Sequence, residues 1–395
     1  MPIEGLSITL NSLCPANNQT YHKKKKSRLF FLMVFLAILA PQACAQRKVV
    51  SDYNYQKAVD AFFEDKDDDK ALKLVDKQLD ETPDHLDSRF LRAKIYWRAD
   101  KYDAVLRDLS YVIKHYKGKP SVYKSTLFGL QGTIYDDMER FADAVDSYRL
   151  AIKFAKKDNP DWIQSYKFDL AQSLYNAKDL DGAEKVYFDM LKDDARDGGA
   201  MVGLARNILD QNKYEEGLEW LRKAESYNAS YAEIYRFKMQ ILDKLGKTDE
   251  SVDAALKYFD LNDDAPAWLV AEYAGKHYTY GVAKVKAEMN KDDASDRWIV
   301  LLTRLYEDHS DYVKALELYD KVEKEYGEYK MIAYYKSNCY SELGQFNMAI
   351  KEATRAIDLD GSKALYGHRG DIYRSAGMYD KAIADYTISM EDDPL

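Results

Sequence analysis

Cysteine and proline are scarce in this 395-residue chain, and its apolar runs are short. Cys14 and Cys44 lie before residue 46, so Cys339 has no partner for an intramolecular disulfide in the remainder. Eight prolines leave almost no room for Pro-rich linkers. The apolar run Leu29–Ala40 has 12 residues, whereas a membrane-spanning helix needs about 20. These features argue against a disulfide scaffold, a linker-rich chain and a permanent membrane helix.

Basic residues are also fewer than acidic ones. The chain carries a net charge of −9, and residues 46–395 hold 53 basic against 66 acidic residues, a balance of −13. Nucleic-acid binding depends on phosphate neutralisation by clustered basic residues, so we exclude nucleic acid as a partner. Forty-six per cent apolar residues indicate a globular chain, and its length exceeds a single compact core.

The N-terminal segment has the pattern of a secretory signal peptide. Lys23–Lys26 and Arg28 precede the apolar run, and the small-residue pattern Ala43-Cys44-Ala45 follows it. We therefore predict cleavage after Ala45. Residues 1–45 are then an N-terminal extension with the signal peptide, and residues 46–51 form a short leader of the mature chain. We expect the protein in the periplasm or on the cell surface of a bacterium.

An alternative fate of this segment is a lipid anchor on Cys44. The preceding Pro41-Gln42-Ala43 departs from the Leu-small-small pattern of bacterial lipoproteins. We expect contact with the membrane only through the leader or this anchor.

A small residue recurs along the rest of the chain in constant phase. The spacings are 34, 39, 39, 34, 34, 64, 34 and 33 residues, and the 64 hides one shortened repeat. The recurring positions are Ala71, Val105, Ala144, Ala183, Gly217, Ser251, Ala315, Ala349 and Ala382. A second series pairs a small residue with a large one three positions later, as in Gly132 with Tyr135, which lets two helices approach closely. Each unit exposes a face that only its neighbour can bury, so the units must stack.

This pattern resembles the tetratricopeptide repeat (TPR) family. The clearest unit has Gly370, Tyr373, Ala382, Tyr386 and Pro394 in order. The resemblance implies an all-α, right-handed superhelical solenoid of about ten helical hairpins over residues 52–395. The units are expected near 52–85, 86–124, 125–163, 164–197, 198–231, 232–264, 265–295, 296–329, 330–362 and 363–395.

Three departures from the repeat are expected to be visible in the structure. Two units are five residues longer than 34, as extended helices or loops at Lys117–Pro120 and Lys156–Pro160. The degenerate unit 265–295 has Trp268 in its first helix and Thr279-Tyr280-Gly281 as a turn, and we expect it to divide the array into two blocks. At the end of the chain the last helix has no cap, so we expect Ile383, Tyr386 and Ile388 to offer a surface for a partner or a second copy.

Motifs for catalysis or cofactor binding are missing. The sequence contains no P-loop, no G-x-S-x-G elbow and no dinucleotide fingerprint. Glu64–Asp69 resembles the start of a calcium loop, but Lys70 stands where the loop needs Gly. The histidines are too scattered for a zinc site, and we expect Cys339 to be a packed small hydrophobe. We predict no enzyme activity, no cofactor and no metal.

The resemblance places a binding groove along the first helices. In this family the groove is lined by the second, fifth, ninth, twelfth and thirteenth residues of each unit. Carried over by position, the candidates are Lys94, Trp97, Gln172, Tyr175, Arg206, Arg236, Gln240, Arg304, Asn338, Asp371 and Arg374. Arg206, Arg236 and Arg304 would together suit an acidic peptide or a carboxylate terminus.

The function expected from these observations is an exported, non-catalytic scaffold that binds a protein or peptide in its concave groove. Two alternatives stay open. The chain could be the interaction arm of a larger enzyme, with a catalytic domain beyond residue 395 or on a partner. It could also be a structural part of a cell-envelope assembly.

Overall fold

The computed structural model describes residues 52–117, 123–291 and 295–390, and every regular element in these ranges is helical. The chain divides into two units, which meet in sequence at Tyr227 and Asn228. The helices of the first unit are α1 (Tyr53–Phe63), α2 (Asp68–Glu81), α3 (Leu86–Arg98), α4 (Tyr102–His115), α5 (Lys124–Asp137), α6 (Phe141–Asp158), α7 (Ile163–Asn176), α8 (Leu180–Asp193), α9 (Gly198–Asp210) and α10 (Tyr214–Tyr227). We call this part, residues 52–227, the N-terminal unit.

The C-terminal unit comprises the described residues from 228 to 390. Its helices are α11 (Ala232–Lys244), α12 (Thr248–Leu261), α13 (Ala267–Gly275), α14 (Tyr278–Met289), α15 (Arg297–Asp308), α16 (Tyr312–Tyr326), α17 (Lys330–Glu342), α18 (Phe346–Asp360), α19 (Ala364–Ser375) and α20 (Tyr379–Met390). In both units, consecutive helices pack against each other as antiparallel hairpins.

The recurring small residue lies where the second helix of a hairpin packs on the first. All nine members of the series are buried, and Ala71, Ala144, Ala183, Ala315 and Ala349 have no exposed surface. A small side chain allows the two backbones to lie close together. The spacing of these residues in the sequence therefore matches the spacing of the hairpins along the chain.

Tyrosine fills the space beside the small residue of the first helix. A Cβ built on Gly132 of α5 would lie 2.8 Å from ring atoms of Tyr148, and one built on Gly370 would lie 2.8 Å from Tyr386. Tyr148 is 2% exposed. Glycine is needed at these positions because a buried ring occupies the volume of a side chain.

The turns within the hairpins follow the same phase. Nine of them contain a residue with left-handed backbone, and only three of these residues are glycine. The nine are Lys66, Asp100, Glu139, Lys178, Asn212, Gly246, Ser310, Gly344 and Gly377. A left-handed residue after the last helical turn ends the first helix and redirects the chain.

One of the two long units owes its extra length to an extended helix. Helix α6 runs for 18 residues and ends at Asp158, and a single 3₁₀ turn over Pro160–Trp162 connects it to α7. The other expected extension, at Lys117–Pro120, lies mostly outside the described residues.

The prediction for the degenerate unit is wrong in one respect. Thr279, Tyr280 and Gly281 lie inside α14, and the turn is formed by Lys276 and His277. A Cβ on Gly281 would lie 2.3 Å from the carbonyl oxygen of Ala274, so this glycine permits contact between α13 and α14. Gly281 is buried and lies 34 residues before Ala315, in the phase of the small-residue series.

The expected division of the array at this unit is also wrong, because the boundary falls at residues 227 and 228. Helix α13 has only nine residues, but it buries Ala267, Val270, Ala271 and Ala274 and packs against α12, α14 and α15. The short hairpin therefore continues the packing of its own unit.

Other expectations concern the two ends of the chain. The leader, the cleavage site and Cys44 lie outside the described residues. Within the described ranges, no helix combines the length and hydropathy that a membrane crossing requires. Helix α20 exposes 63% of Ile383, whereas Tyr386 and Ile388 are half-buried.

Candidate functional site

A cleft of the N-terminal unit lies along its first helices. It has a volume of about 690 Å³ and is formed mainly by α5 and α7, with contributions from α6, α8 and the start of α9. The lining residues are Thr133, Asp136, Asp137, Tyr148, Gln164, Ser165, Phe168, Asp169, Gln172, Asn176, Met190 and Asp197. Four of them are aspartates, and none is basic. We call this the acidic cleft.

Buried hydroxyl groups order one wall of the acidic cleft. The Tyr148 and Thr133 hydroxyls lie 3.2 Å apart, and Thr133 donates to the carbonyl oxygen of Gly129 at 3.2 Å. Ser173 of α7 donates to Asp136 of α5 at 2.8 Å. Burial raises the pKa of Asp136 to about 6, although hydrogen bonds from Ser173 and Tyr148 favour its ionised form.

Asp169 has a different environment from Asp136. Its Oδ2 atom is buried and has no hydrogen-bond partner. Burial, together with the nearby carboxylate of Asp136, raises the pKa of Asp169 to about 8. The carboxyl is therefore held largely as the neutral acid near pH 7.

A second unsatisfied acceptor lies in the same cleft. The side-chain amide of Gln164 donates from Nε2 to Asp193 at 2.9 Å, while its Oε1 atom is buried without a partner. Buried acceptors are usually satisfied, so two such atoms in one cleft indicate that a donor is missing there.

The other two aspartates of the acidic cleft have donors from the protein. Asp137 accepts from the Trp97 indole at 3.2 Å. Asp197 caps α9 and accepts from the Ala200 amide at 2.9 Å. They contribute negative charge at the edges of the cleft.

The C-terminal unit contains a related cluster in which the acid is satisfied. Glu307 accepts from the Tyr319 hydroxyl at 2.8 Å, twelve residues later, and the Cys339 thiol lies 3.7 Å from the same oxygen. Burial raises the pKa of Glu307 and of the Cys339 thiol. A buried thiol that stays protonated is a poor nucleophile.

Two candidates from the sequence, Lys94 and Trp97, lie inside the stack and do not line the cleft as exposed groove residues. They are 5% and 7% exposed. Burial lowers the pKa of Lys94 to about 7, and its ammonium lies 4.8 Å from the centre of the Phe90 ring. Trp97 contributes to the site only through its hydrogen bond to Asp137.

Gln172, Tyr175 and Arg206 lie close together, as their positions in the repeat predict. Gln172 lines the cleft, donates to the Tyr187 hydroxyl at 2.8 Å and accepts from Arg206. The Arg206 guanidinium lies 3.9 Å from the centre of the Tyr175 ring. Tyr175 in turn donates to Asp210 at 2.5 Å.

The three arginines that the sequence predicts as a row for an acidic peptide each contact another side chain. Arg206 donates to Gln172. Arg236 pairs with Glu233 at 2.5 Å, and Arg304 pairs with Asp308 at 2.9 Å. Both charges are thus compensated by a carboxylate on the same helix.

The remaining candidates lie in the C-terminal unit, and nothing in their surroundings marks a common site. Arg304 lines a smaller cleft of about 450 Å³ together with Trp268, Lys276 and His309. Gln240 and Asn338 are half-buried. Asp371 and Arg374 are exposed and pair with each other at 3.1 Å.

Most of the residues that were missed follow the same positional rule. Applied to the units that begin at 125 and 164, the rule gives Thr133, Asp136, Asp137, Ser165, Phe168 and Asn176, all of which line the acidic cleft. Asp169 lies outside the rule, and no sequence signal marks it. Its burial depends on the packing of α5 against α7.

The described residues contain no group of three or more His, Cys, Asp or Glu side chains placed to hold a metal ion. In the segment Glu64–Asp69, residues 64–67 form the turn between α1 and α2 and residues 68–69 begin α2. Asp67 accepts from the Lys70 amide at 2.9 Å, and Asp65 pairs with the Lys70 ammonium at 2.8 Å.

Comparison with protein-family models identifies tetratricopeptide repeats at residues 126–158, 168–233, 333–363 and 364–387. The predicted repeats are confirmed at these residues, two segments of which contain most of the acidic cleft. No curated protein matches the chain significantly.

Solved structures of TPR proteins are similar at low identity. PilW, a type IV pilus biogenesis factor, is 14% identical, with coverage of 53% of this chain and 93% of PilW, at a TM-score of 0.42. The C-terminal part of a TPR protein from Cytophaga hutchinsonii is 15% identical, with coverage of 68% and 94%, at a TM-score of 0.43. YrrB is 13% identical, with coverage of 51% and 97%, at a TM-score of 0.37. Their identity is too low to carry a function.

Proposed function

We propose that this protein is an exported, non-catalytic scaffold that binds a peptide segment of a partner protein in the groove of its N-terminal unit. The observation that carries the proposal is the acidic cleft, a cavity of about 690 Å³ lined by side chains of several successive helices. A cavity of this size accommodates one or two side chains.

The chemistry of the cleft favours binding over catalysis. Three of its four aspartates, Asp136, Asp137 and Asp197, accept hydrogen bonds from the protein. The lining contains no pairing of a nucleophile with a histidine base. Polar groups at fixed positions on rigid helices recognise a ligand by complementarity.

The test uses a variant in which the mouth of the cleft is obstructed. Asn176 lines the cleft and is exposed, so Asn176→Trp adds bulk there without entering the core. Random dodecapeptides displayed on phage are selected on the full chain, and synthetic copies are titrated against both proteins by calorimetry. We expect the variant to lose most of the affinity.

The matched control is Asp146→Trp, on the exposed face of α6 in the same unit, where Asp146 is 79% exposed. This variant is expected to bind as the wild type does. If every selected peptide bound the Asn176→Trp protein with unchanged affinity, the groove of the N-terminal unit would not be the binding site.

Export is the second part of the proposal and rests on the sequence of the leader. A basic stretch, a short apolar run and a small-residue cleavage pattern occur in the order of a signal peptide. We propose a periplasmic or surface location, with Cys44 lipidation as the alternative outcome.

A role in a cell-envelope assembly is the second candidate function, and the exposed apolar side chains of α20 favour it. Tyr379, Ile383 and Met390 are 65%, 63% and 72% exposed. Such a patch suits a second copy of the chain. Light scattering at increasing concentration would detect dimers, and Ile383→Asp should abolish them; a monomer at all concentrations would argue against this role.

A further inference from the structure

Two buried acceptors in the acidic cleft need a donor that the described protein does not provide. They are Asp169 Oδ2 and Gln164 Oε1, both on α7 and both on the lining. Because both residues line the same cleft, one ligand in it can address both. An unsatisfied buried acceptor destabilises a fold, and a donor from a ligand would remove this cost for both atoms.

The charge of the cleft indicates the class of donor. Asp136, Asp137 and Asp197 line it together with Asp169, and no basic residue does. The nearby cations are already engaged, because Lys167 pairs with Asp189 and Asp193 at 2.6 and 2.7 Å. Arg206 lies over Tyr175 and donates to Gln172. A carboxylate cluster of this kind repels anions and attracts a cation.

The shape of the cleft favours a long, flexible cation. Phe168 contributes an aromatic ring to the lining, beside the two acceptors. The aliphatic stem of a basic side chain packs on such a ring, while its charged end reaches the acceptors.

We propose that the acidic cleft binds the cationic side chain of a lysine or arginine in the partner peptide, with Asp169 and Gln164 as its acceptors. This inference rests on the proposed function and adds the chemistry of the ligand. It replaces the acidic peptide expected from the sequence.

Binding is then coupled to loss of a proton. The titratable groups that line the cleft with Asp169 are Asp136 and Asp137 of α5, Tyr148 of α6 and Asp197 at the start of α9. Because burial and the carboxylate of Asp136 hold the proton on Asp169, a cation gains its carboxylate partner only when that proton leaves. Affinity should therefore rise with pH through the pKa of Asp169, about 8.

The experiment uses the synthetic peptides selected on the full chain. Each lysine is replaced by norleucine and each arginine by citrulline, which remove the charge and keep the length. We expect one basic position whose replacement weakens binding about tenfold or more. The two replacements distinguish an ammonium ligand from a guanidinium ligand.

Protein variants test the same contact from the other side. We expect Asp169→Asn to weaken binding about tenfold and to abolish the pH dependence, and Asp169→Glu to retain part of the affinity. Asp146→Asn removes the same formal charge from an exposed site in the unit and should change nothing. Thermal unfolding of each variant verifies that it is folded.

Two results would overturn the inference while the proposed function stands. In the first result, the peptides lose affinity for the Asn176→Trp protein, but they have no basic residue in common. In the other, Asp169→Asn binds them with unchanged affinity and pH dependence. Peptides that are insensitive to Asn176→Trp would contradict the proposed function instead.

Discussion

At the scale of single residues, Asp169 and Asp136 illustrate how one type of side chain acquires two roles. Asp136 accepts hydrogen bonds from Ser173 at 2.8 Å and links α5 to α7. Asp169 is enclosed nearby, but its Oδ2 receives no donor. The first carboxyl therefore contributes to the fold, whereas the second weakens it when ionised.

This difference predicts a pH-dependent stability. In the unfolded chain Asp169 ionises near 3.8, whereas in the folded chain it keeps its proton up to about 8. Between these values the folded state binds more protons, so its contribution to stability falls as pH rises. We expect Asp169→Asn to raise the free energy of unfolding by about 1–3 kcal/mol at pH 8 and to have little effect near pH 4. Urea unfolding across this range measures the difference.

The control for this measurement is Asp146→Asn, whose effect should not vary with pH because Asp146 is exposed. An Asp169→Asn difference that stayed constant from pH 4 to 8 would show that the carboxyl titrates in the folded state as it does in the unfolded chain.

Glycine at the contact between helices gives a second prediction. In Gly132→Ala the new Cβ would lie 2.8 Å from the ring of the buried Tyr148, which cannot swing away. We expect a loss of about 1–3 kcal/mol, despite the better helix propensity of alanine. Gly198→Ala, where a Cβ meets nothing within 4 Å, should be neutral or slightly stabilising. Equal effects of the two substitutions in urea unfolding would contradict the packing argument.

At the scale of elements, two hairpins share an ion pair between their helices. One recurring contact joins an arginine of the first helix to an aspartate sixteen residues later. Arg92 binds Asp108 at 2.7 and 2.9 Å, and Arg369 binds Asp385 at 2.8 and 2.9 Å. Both aspartates are buried, so the bidentate geometry offsets their loss of water.

The pair in the last hairpin can be tested by removing its acid. Asp385→Ala would leave Arg369 without its carboxylate, and we expect a loss of about 2–4 kcal/mol. Hydrogen exchange should accelerate in α19 and α20 more than in α11. Asp380→Ala, on the exposed side of α20, should stay within about 0.5 kcal/mol of the wild type. Unchanged exchange in Asp385→Ala would mean that the pair is not needed to hold the two helices together.

At the scale of the whole molecule, the acidic net charge of the chain bears on which partners it can bind. A net charge of −9 opposes non-specific binding to nucleic acid and anionic membranes, and the acidic cleft adds a local preference for cations. A scaffold of this kind would select its partner by basic side chains.

Processing of the leader gives a prediction at this scale. A signal peptidase requires a small residue before the cut, so Ala45→Arg should leave an uncleaved precursor, whereas the wild-type chain should begin at Gln46. Intact mass spectrometry of the cell-envelope fraction measures both. Cys44→Ser should still be processed; a block of processing by this substitution would indicate lipidation instead.

The repeats could be predicted from the sequence because their signal is local and periodic. Small residues such as Ala144 and Ala183 recur in phase, and a small side chain between two helices is needed wherever a hairpin closes. The repetition therefore indicated helical hairpins, and the confirmed repeats lie within that region. The prediction of a turn at Gly281 failed although this glycine keeps the phase of the series, because a glycine that permits close approach has the same sequence appearance as one in a turn.

Only the tertiary structure decided which charges are satisfied. Arg236 and Arg304 have partners on their own helices, and Asp169 loses its water because α5 and α7 enclose it. The burial of Asp169 depends on side chains far apart in sequence, and a change of one neighbour alters it without altering the repeat. The sequence by itself therefore determined the stacked hairpins and predicts the leader, whereas packing determined that the acidic cleft holds two buried acceptors without a partner among the described residues.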